Sequence, residues 1–459
     1  MATVNLSKDA QFQYDASLSG HRHWNNTEKT AFRISSIYFF LLAFPLDWKY
    51  YKTVFSINWL DLHYRDFFNL AHYSPEFFAE NSFLNLIGLL VVAIIGGLVW
   101  GVVDKEKKDY NTLYYWIRVL VRYRLALGLI AYGLIKFFPL QSPLPSISNL
   151  NTQYGDFTDW KIFALTLGVV PGYQSFLGLI ELLGGLLFLN RKTTSIATLI
   201  IIPFTGNVFV SNLAYGGGEA VYSFYLILLA LYLFTFDAPR FYSLLGLEKP
   251  TIPNRFHPTY EAKWQQYGRL GLKVFFIFFF VVLFGFKTRN GYLHDPYQYP
   301  NAPGLSKAAG IYNVAEFKFN DKVLPYSPID PVRWKDVVFE NWATLSIRSN
   351  RPVIIDSTNV EEINENDADR VYEFLGTADR HYYSYKIDEA KQVLNLENRN
   401  KHYASDKFQL RYSRPDSATI LLSGLNSDGD SVAVRLEKID KKYLQTEIKK
   451  LGRRGSPKL

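Results

Sequence analysis

The sequence predicts a membrane-embedded bundle of about seven α-helices followed by a small antiparallel β-barrel or β-sandwich domain. Long apolar runs dominate the chain from Phe32 to Phe286, whereas charged and polar residues are dense from Lys287 onward. A helix needs about 20 consecutive apolar residues to cross a bilayer core. Short runs that alternate between apolar and polar residues are instead typical of antiparallel strands. The change at Lys287 therefore marks the boundary between the two parts.

Seven apolar segments in the first part approach the length of a membrane span. Pro45, Asp47 and Lys49 interrupt the first segment. The second contains Gly97 and Gly101, a spacing that is typical of close-packed membrane helices. The seven segments cover residues 34–55, 83–103, 117–140, 173–189, 196–213, 220–236 and 270–286.

The charges of the loops predict the orientation of these helices, because cytoplasmic loops of membrane proteins are enriched in Lys and Arg. One set of loops carries most of the basic residues, among them Lys29, Arg33, Arg191, Lys192 and Arg240. The opposite loops are mainly acidic and carry Asp61, Asp66, Glu76, Glu80, Asp156, Asp159 and Glu219. The N-terminus is therefore predicted in the cytoplasm, and seven crossings place the C-terminal domain outside it.

Composition divides the chain into successive parts, and the last large part has the pattern of an antiparallel β domain. The parts are a cytoplasmic N-terminal segment (1–31), two transmembrane helices with an outer loop (32–114), a four-helix core (115–240), a cytoplasmic loop with the seventh helix (241–287), a linker (288–309), an extracytoplasmic β domain (310–448) and a basic tail (449–459). The predicted strands include residues 314–319, 343–348, 381–387, 408–412, 419–423 and 431–436.

Composition also excludes several classes of function. The chain has no cysteine, which excludes disulfides, thiol catalysis and cysteine-held metal centres for this chain alone. Its net charge is +8, but the basic residues lie at the ends of apolar segments, so nucleic-acid binding is not expected. His63 and His72 lack the spacing of metal ligands, and no metal site is predicted.

Three polar residues are predicted at one level inside the bundle. Lys136 lies 12 residues beyond Arg124, or about 18 Å along a helix. Glu181 and Asn207 come out at about 15 and 16 Å from the same side by the same rise per residue. Ionisable groups inside a bilayer are costly and need a partner or a purpose. Tyr132, one turn before Lys136, could add a phenolic donor.

Two interpretations of this level remain open. In the first, Lys136 donates to a carbonyl or quinone oxygen, Glu181 acts as counter-ion or proton acceptor, and Asn207 anchors the ligand. In the second, Lys136 and Glu181 form a buried pair that fixes helix packing and binds nothing. Glu219, after Gly216–Gly218, could line an outer mouth, although a polar turn explains it more simply.

Three arginines open the predicted third helix. Arg118 and Arg122 share a helix face at a spacing of four residues, and Arg124 follows. Together they are candidates for binding an anionic lipid headgroup. Anchoring by the positive-inside rule is the simpler explanation.

Helices three to six resemble the DoxX family of membrane proteins. Arg124-Leu-Ala-Leu-Gly128 and Gly133-Leu-Ile-Lys136-Phe-Phe are similar to that family's first helix, and Gly178-Leu-Ile-Glu181-Leu-Leu-Gly184-Gly185 is similar to its second. The resemblance covers residues 115–240. The additional helices are similar to those of larger relatives that include the membrane domain of the vitamin-K-dependent carboxylase. The whole layout resembles DoxX-like proteins of Bacteroidetes that carry a C-terminal extracytoplasmic β domain. This resemblance implies a bacterial inner membrane for the helices and the periplasm for the C-terminal domain.

The resemblance implies a redox-associated role. DoxX relatives are implicated as membrane subunits of quinone-linked oxidoreductases, including thiosulfate oxidation, and as partners in redox homeostasis. Lys136 and Glu181 match the family's membrane-embedded polar positions. Because this chain has no cysteine, sulfur chemistry would need a partner or a bound cofactor.

Three functions follow as hypotheses. The first is a redox-associated subunit that binds a quinone or similar lipid-soluble ligand, with membrane lipids and a redox protein as partners. The second is a non-catalytic envelope anchor or assembly protein whose β domain binds a partner. The third, a transporter, is weaker because the helices show no inverted repeat.

Overall fold

The computed structural model describes residues 24–104, 109–251, 258, 262–355 and 362–451. The rest of the predicted N-terminal segment and residues 452–459 of the predicted basic tail lie outside these ranges. The chain forms two compact units. The helical unit consists of Met1–Pro139 and Gly172–His294, and the barrel unit consists of Leu140–Pro171 and Asp295–Leu459.

Side-chain caps set the starts of the first helices, and a glycine lets two helices pack closely. Asn25 and Glu28 form a reciprocal capping box, and Asp47 caps the helix that follows the break at Pro45. Gly97 lies against Ile34, where a Cβ would come within 2.9 Å of the Ile34 backbone nitrogen. The helices of this unit are Asn26–Ala43, Trp48–Ser56, Tyr64–Ala71, Phe83–Val103, Asn111–Phe137, Pro171–Phe188, Thr194–Ala214, Ala220–Thr235, Ala238–Phe241, Lys263–Ile277 and Phe284–His294, with π-helical turns at Tyr242–Gly246 and Phe278–Leu283.

Several of these helices are long and apolar enough to cross a membrane. In the described part of the chain, four pass this test alone: Asn26–Ser56, Phe83–Val103, Thr194–Ala214 and Lys263–His294. Two bent pairs raise the number to six if each pair is one span: Asp159–Val169 with Pro171–Phe188 at 95°, and Ala220–Thr235 with Ala238–Gly246 at 65°. Asn111–Phe137 has 27 residues but carries three arginines and a lysine. Seven spans therefore stay a prediction.

The second unit contains a closed antiparallel barrel, which confirms the predicted β domain and selects the barrel over the sandwich. Strand β1 pairs with β3 on one side and with β9 on the other, so eight strands close the sheet, and β2 extends one end of β1. The strands are β1 Gly310–Phe319, β2 Lys322–Val323, β3 Asp336–Phe339, β4 Thr344–Arg348, β5 Arg380–Asp388, β6 Val393–Asn398, β7 Lys407–Ser413, β8 Thr419–Asn426 and β9 Ser431–Lys438, and a short helix, Leu444–Leu451, follows.

The barrel interior is filled by alternate residues of its strands. In β6, Leu394 and Leu396 point inward, and Leu410 of β7 and Ile420 of β8 complete the same apolar core. The hairpin between the last two strands turns at Asn426–Gly429, where Gly429 adopts a positive φ of 85°. All six strands predicted from alternation are present.

Residues 140–171 form a segment, here called the strap, that belongs to the barrel unit although it interrupts the helical sequence. The sequence analysis assigned these residues to the helical core. The strap contains the helices Ile147–Leu150 and Asp159–Val169 with a short 3₁₀ turn between them. Phe157 forms a β-bridge with Thr377, so the strap also makes backbone contacts with the barrel unit.

The strap is held by hydrogen bonds from its backbone and side chains to buried polar groups of the barrel unit. The Glu340 carboxylate accepts hydrogen bonds from the backbone nitrogens of Ile147 (3.1 Å) and Ser148 (2.7 Å) and from the Ser148 hydroxyl (2.7 Å). The ammonium of Lys161, which is fully buried, donates to the Tyr372 carbonyl. The Ser346 hydroxyl of β4 lies 2.7 Å from the Ser148 hydroxyl, and the first four residues of β4 are all buried.

Candidate functional site

Lys136 and Glu181 form a buried ion pair in the helical unit. The Lys136 Nζ lies 2.7 Å from Glu181 Oε1, and both side chains are buried. Two glycines permit the close approach of the helices that carry the pair. A Cβ at Gly133 would lie 2.7 Å from the Leu182 nitrogen, and one at Gly178 would lie 2.6 Å from the Gly133 oxygen. The sequence therefore identified two residues that the structure brings together.

The pair has unused hydrogen-bonding capacity. Within the described residues, Glu181 Oε2 is buried and accepts no hydrogen bond. Lys136 donates one hydrogen bond, to Glu181, although an ammonium group carries three hydrogens. Buried polar groups in folded proteins are almost always paired, so an unpartnered carboxylate oxygen requires an explanation.

Tyr132 connects this pair with a second acidic residue. The Lys136 Nζ lies 5.4 Å from the centre of the Tyr132 ring. The Tyr132 hydroxyl also interacts electrostatically with the carboxylate of Glu219, just before the helix Ala220–Thr235. The ring of Tyr132 packs against Phe68 and Tyr222, with centroid distances of 5.3 and 5.5 Å.

His72 and Glu219 complete the cluster, and the sequence analysis assigned neither to it. His72 Nε2 lies 3.8 Å from Glu219 Oε2. The His72 ring packs against Tyr222 at 4.1 Å and against Tyr132 at 5.6 Å. His72 directly follows the helix Tyr64–Ala71, whose apolar face is buried in the unit. No local sequence spacing links the two residues.

Asn207 does not join the cluster, so the structure gives no support to its predicted role as ligand anchor. It is exposed on the helix Thr194–Ala214, whose buried stripe runs through Ala197, Ile201 and Thr205. Asn207 is two residues beyond Thr205, which turns it about 200° around the helix. The sequence analysis estimated how far along the helix Asn207 lies, but not which face of the helix it occupies.

The helix that carries Lys136 begins earlier than the sequence analysis assumed. It runs Asn111–Phe137, so Arg124 lies near its middle and Lys136 lies one residue before its end. Arg124 is buried, and its Nε donates to the Ala43 carbonyl at 3.0 Å. Its guanidinium lies 4.9 Å from the centre of the Tyr73 ring. Arg124 is therefore not placed to bind a lipid headgroup.

Arg118 and Arg122 are only partly buried and keep their candidacy for an anionic headgroup. The Arg118 guanidinium lies 3.2 Å from the centre of the Phe236 ring, and that of Arg122 lies 5.5 Å from the Tyr123 ring. Cation–π contacts of this kind help to hold a partly desolvated guanidinium.

Comparison of the chain with models of known protein families, with characterised proteins and with solved structures found no match. The DoxX resemblance therefore stays a prediction. Among the described residues, no three His, Asp or Glu side chains are grouped in a way that could hold a metal ion.

The barrel unit holds a separate group of buried charges beneath the strap. Glu373 accepts hydrogen bonds from Arg399 (3.0 Å) and from the Trp342 indole (3.1 Å). Burial, followed by the charge of Glu340, raises the pKa of Glu373 to about 8. The buried ammonium of Lys161 lies 3.9 Å from the centre of the Tyr372 ring. These groups fasten the strap and face one another rather than solvent, so we assign them a structural role.

Proposed function

We propose that the helical unit spans a bacterial inner membrane and binds the ring of a quinone, quinol or similar lipid-soluble compound at the Lys136–Glu181 pair. The observation that carries the proposal is the buried, unpartnered Glu181 Oε2 beside a lysine that donates one hydrogen bond. Leaving such an atom unpaired costs about 1–3 kcal/mol, and more for a charged group. A ligand hydroxyl that donates to this oxygen would remove the cost.

The chemistry of the cluster suits a ring that carries oxygen atoms. Lys136 can donate to a quinone carbonyl, and Glu181 can accept from a quinol hydroxyl. The rings of Tyr132 and Tyr222 offer apolar walls for an aromatic ligand. The pair also occupies the positions that match the polar residues of DoxX-like helices, which supports a redox-associated subunit. Because the chain has no cysteine, electrons would come from a partner protein or a second cofactor.

The proposed topology places the N-terminus in the cytoplasm and the barrel unit in the periplasm. The cysteine-free sequence permits a direct test with single-cysteine variants. Lys391 is 78% exposed in the barrel unit, and Lys192 is exposed between two helices of the helical unit. A membrane-impermeant maleimide added to intact spheroplasts should label Lys391→Cys and leave Lys192→Cys unlabelled until the membrane is broken. Labelling of Lys192→Cys alone would overturn this topology.

The ligand is tested by mass spectrometry of lipid-soluble compounds that co-purify with the protein in mild detergent. We expect a quinone with the wild type and its loss from Lys136→Met and Glu181→Gln. Each single change leaves one buried charge without its partner, which can cost 3–5 kcal/mol and unfold the protein.

The double variant Lys136→Met/Glu181→Leu separates binding from folding. Replacing both members of a buried pair by apolar residues of similar size is often neutral or stabilising. We expect this variant to elute as the folded protein in gel filtration and to lack the quinone. Asn207→Leu, on the exposed face of another helix, is the matched control and should keep it. A quinone retained by the folded double variant, or absent from the wild type, would refute the proposal.

A second candidate function, an envelope assembly protein, is favoured by an apolar surface of the barrel unit. In the loop after β2, Tyr326 is 69% exposed and Ile329 is 78% exposed. A photo-crosslinking residue at Ile329 should then capture one defined envelope protein in cells, whereas the same residue at Lys391 should not. Equal crosslinking at both positions would exclude a specific partner at this loop.

A further inference from the structure

We infer that His72, Glu219 and Tyr132 form a proton relay that connects the Lys136–Glu181 pair with solvent. This inference rests on the proposed function, because the relay serves the proton of a bound ring hydroxyl. The five side chains come from separate parts of the helical unit. His72 follows one helix, Glu219 precedes another, Tyr132 and Lys136 share a third, and Glu181 lies on a fourth.

Solvent exposure is highest at the His72 end of the proposed path, and Tyr132, which follows Glu219, is buried. The side chain of His72 is 29% exposed, that of Glu219 is 16% exposed, that of Lys136 is 11% exposed and that of Glu181 is 6% exposed. Protons can therefore enter and leave at His72, while the ligand-binding end is shielded. Histidine suits the exposed end because one nitrogen of its ring can accept a proton while the other donates one.

The contacts between neighbours are of the kind that proton transfer requires. Lys136 contacts Glu181 at 2.7 Å and also interacts electrostatically with Glu219. The Lys136 ammonium lies 5.4 Å from the centre of the Tyr132 ring, and the Tyr132 hydroxyl interacts electrostatically with the Glu219 carboxylate. Because this hydroxyl can accept one proton while donating another, a small side-chain movement or one bridging water lets it link the two groups. The 3.8 Å between Glu219 and His72 closes with a small side-chain movement or one bridging water.

The proton balance of the relay is simple. The ligand O–H bond breaks, its proton binds Glu181 Oε2, and the ligand oxygen becomes an anion beside the Lys136 ammonium. Glu181 then passes a proton to Lys136 as Lys136 releases one through Tyr132 to Glu219. Glu219 transfers it to His72, which releases it to solvent. No electron moves, and the only net change is one proton transferred from ligand to solvent.

The titratable groups that face the relay are few. Besides the five relay residues, the Tyr222 hydroxyl lies within the electrostatic range of Glu219 and Glu181. Its ring covers His72 from the helix Ala220–Thr235. The alternative to a relay is that the contact between His72 and Glu219 only holds the segment around His72 against the helix Ala220–Thr235. A purely structural pair would affect stability but would not affect the rate of proton movement at the ligand.

The test uses an alkyl-chain nitrophenol as the probe, because its visible absorbance reports loss of its hydroxyl proton. The purified full-length protein, loaded with the probe, is subjected to a rapid change of pH, and the absorbance is followed by stopped flow. We compare the wild type with Glu219→Gln and His72→Gly. Glu80→Gln is the matched control, because Glu80 lies in the same predicted outer loop as His72 and is 81% exposed.

We expect all four proteins to bind the probe with the same affinity. Proton transfer should slow by about 100-fold or more in Glu219→Gln and His72→Gly, which is the range supplied by a positioned acid–base group. Added imidazole should restore the rate in His72→Gly and have no effect on Glu219→Gln. The control should match the wild type.

The opposing results are distinguishable. Unchanged rates in both variants that bind the probe would refute the relay and leave the ligand site standing. Failure of imidazole to restore His72→Gly would assign His72 a structural role and likewise refute the relay. Absence of probe binding by the wild type would refute the proposed ligand site, and the relay with it.

Discussion

Glu340 is the residue whose replacement best tests how the strap is held. Its two carboxylate oxygens accept three hydrogen bonds from consecutive strap residues, namely those from the Ile147 nitrogen, the Ser148 nitrogen and the Ser148 hydroxyl. Both Ser148 bonds reach one oxygen, Oε1, and the Ile147 bond reaches the other. Glu340→Gln keeps an oxygen for Ser148 and replaces the other acceptor by an NH₂ donor. Glu340→Ala removes both acceptors.

The two variants should therefore differ in a predictable ratio. An orphaned buried donor costs about 1–3 kcal/mol. Glu340→Gln orphans one donor and should lower the free energy of strap opening by about 1–3 kcal/mol. Glu340→Ala orphans both backbone donors, whereas the Ser148 hydroxyl keeps the Ser346 hydroxyl as a partner at 2.7 Å, so this variant should lower it by about 2–6 kcal/mol. Since each 1.4 kcal/mol is a factor of ten, amide exchange of the strap should accelerate by about 5- to 140-fold in Glu340→Gln and by about the square of that factor in Glu340→Ala.

The assay is hydrogen–deuterium exchange of the intact chain, read from peptides that cover residues 146–152. Glu397→Ala is the control, since Glu397 is 61% exposed on the same barrel and pairs only with exposed Lys407. Exposed pairs contribute little, so strap exchange should not change. Equal exchange in Glu340→Gln and Glu340→Ala, or acceleration in the control, would contradict the hydrogen-bond account of the strap.

Three further predictions concern packing, pH and lipid. Gly178→Ala should lower the thermal unfolding midpoint and separate the ion-pair helices, at a cost of about 1–3 kcal/mol, because the new Cβ meets backbone atoms of the facing helix. Gly172→Ala is the control and should be neutral, because its Cβ enters open space. Burial lowers the pKa of His381 from 6.5 to about 4, so the unfolded chain binds more protons between these values and the barrel unit should lose about 3 kcal/mol of stability as the pH falls from 6.5 to 4. Hydrogen exchange of the strands should show a shallower loss in His381→Asn, and an identical pH dependence would contradict the assignment. Arg122→Gln should reduce the anionic lipid seen by native mass spectrometry, while Arg124→Gln should reduce stability and leave the lipid unchanged; the reverse pattern would contradict the placement of the two side chains.

The barrel could be predicted from sequence because most of its strands bury one face. β8 and β9 alternate between inward and outward residues, as the pattern of a half-buried strand requires. β6 alternates in the same way but was not among the predicted strands. β3 escaped detection because Val337, Val338 and Phe339 are all buried, which leaves a short apolar run without alternation. The strap covers this side of the barrel unit, and its contacts depend on residues about 190 positions away in sequence.

The candidate site was predictable only in part, for a different reason. Lys136 and Glu181 stand out because charges are rare in apolar helices, and their helices pair through glycines that are visible in the sequence. Asn207 lies outside the cluster, because the position of a residue along a helix does not determine which face of the helix it occupies. His72 and Glu219 could not be paired from the sequence. The distance between them depends on how the segment before His72 packs, and no periodic pattern in the sequence predicts that packing.

The separation of the strap from its partner has a consequence for biosynthesis. Ser148 and Glu340 are 192 residues apart, so at about 5–20 residues per second a ribosome needs roughly 10–40 s between them. During that interval Lys161 and the backbone donors of the strap have no partners from the barrel, which is made last. A nascent chain therefore holds an incomplete segment between the two helices that carry Lys136 and Glu181. Premature termination after the last helix would leave that segment permanently unpaired, which makes it a natural mark for recognition by a chaperone or protease.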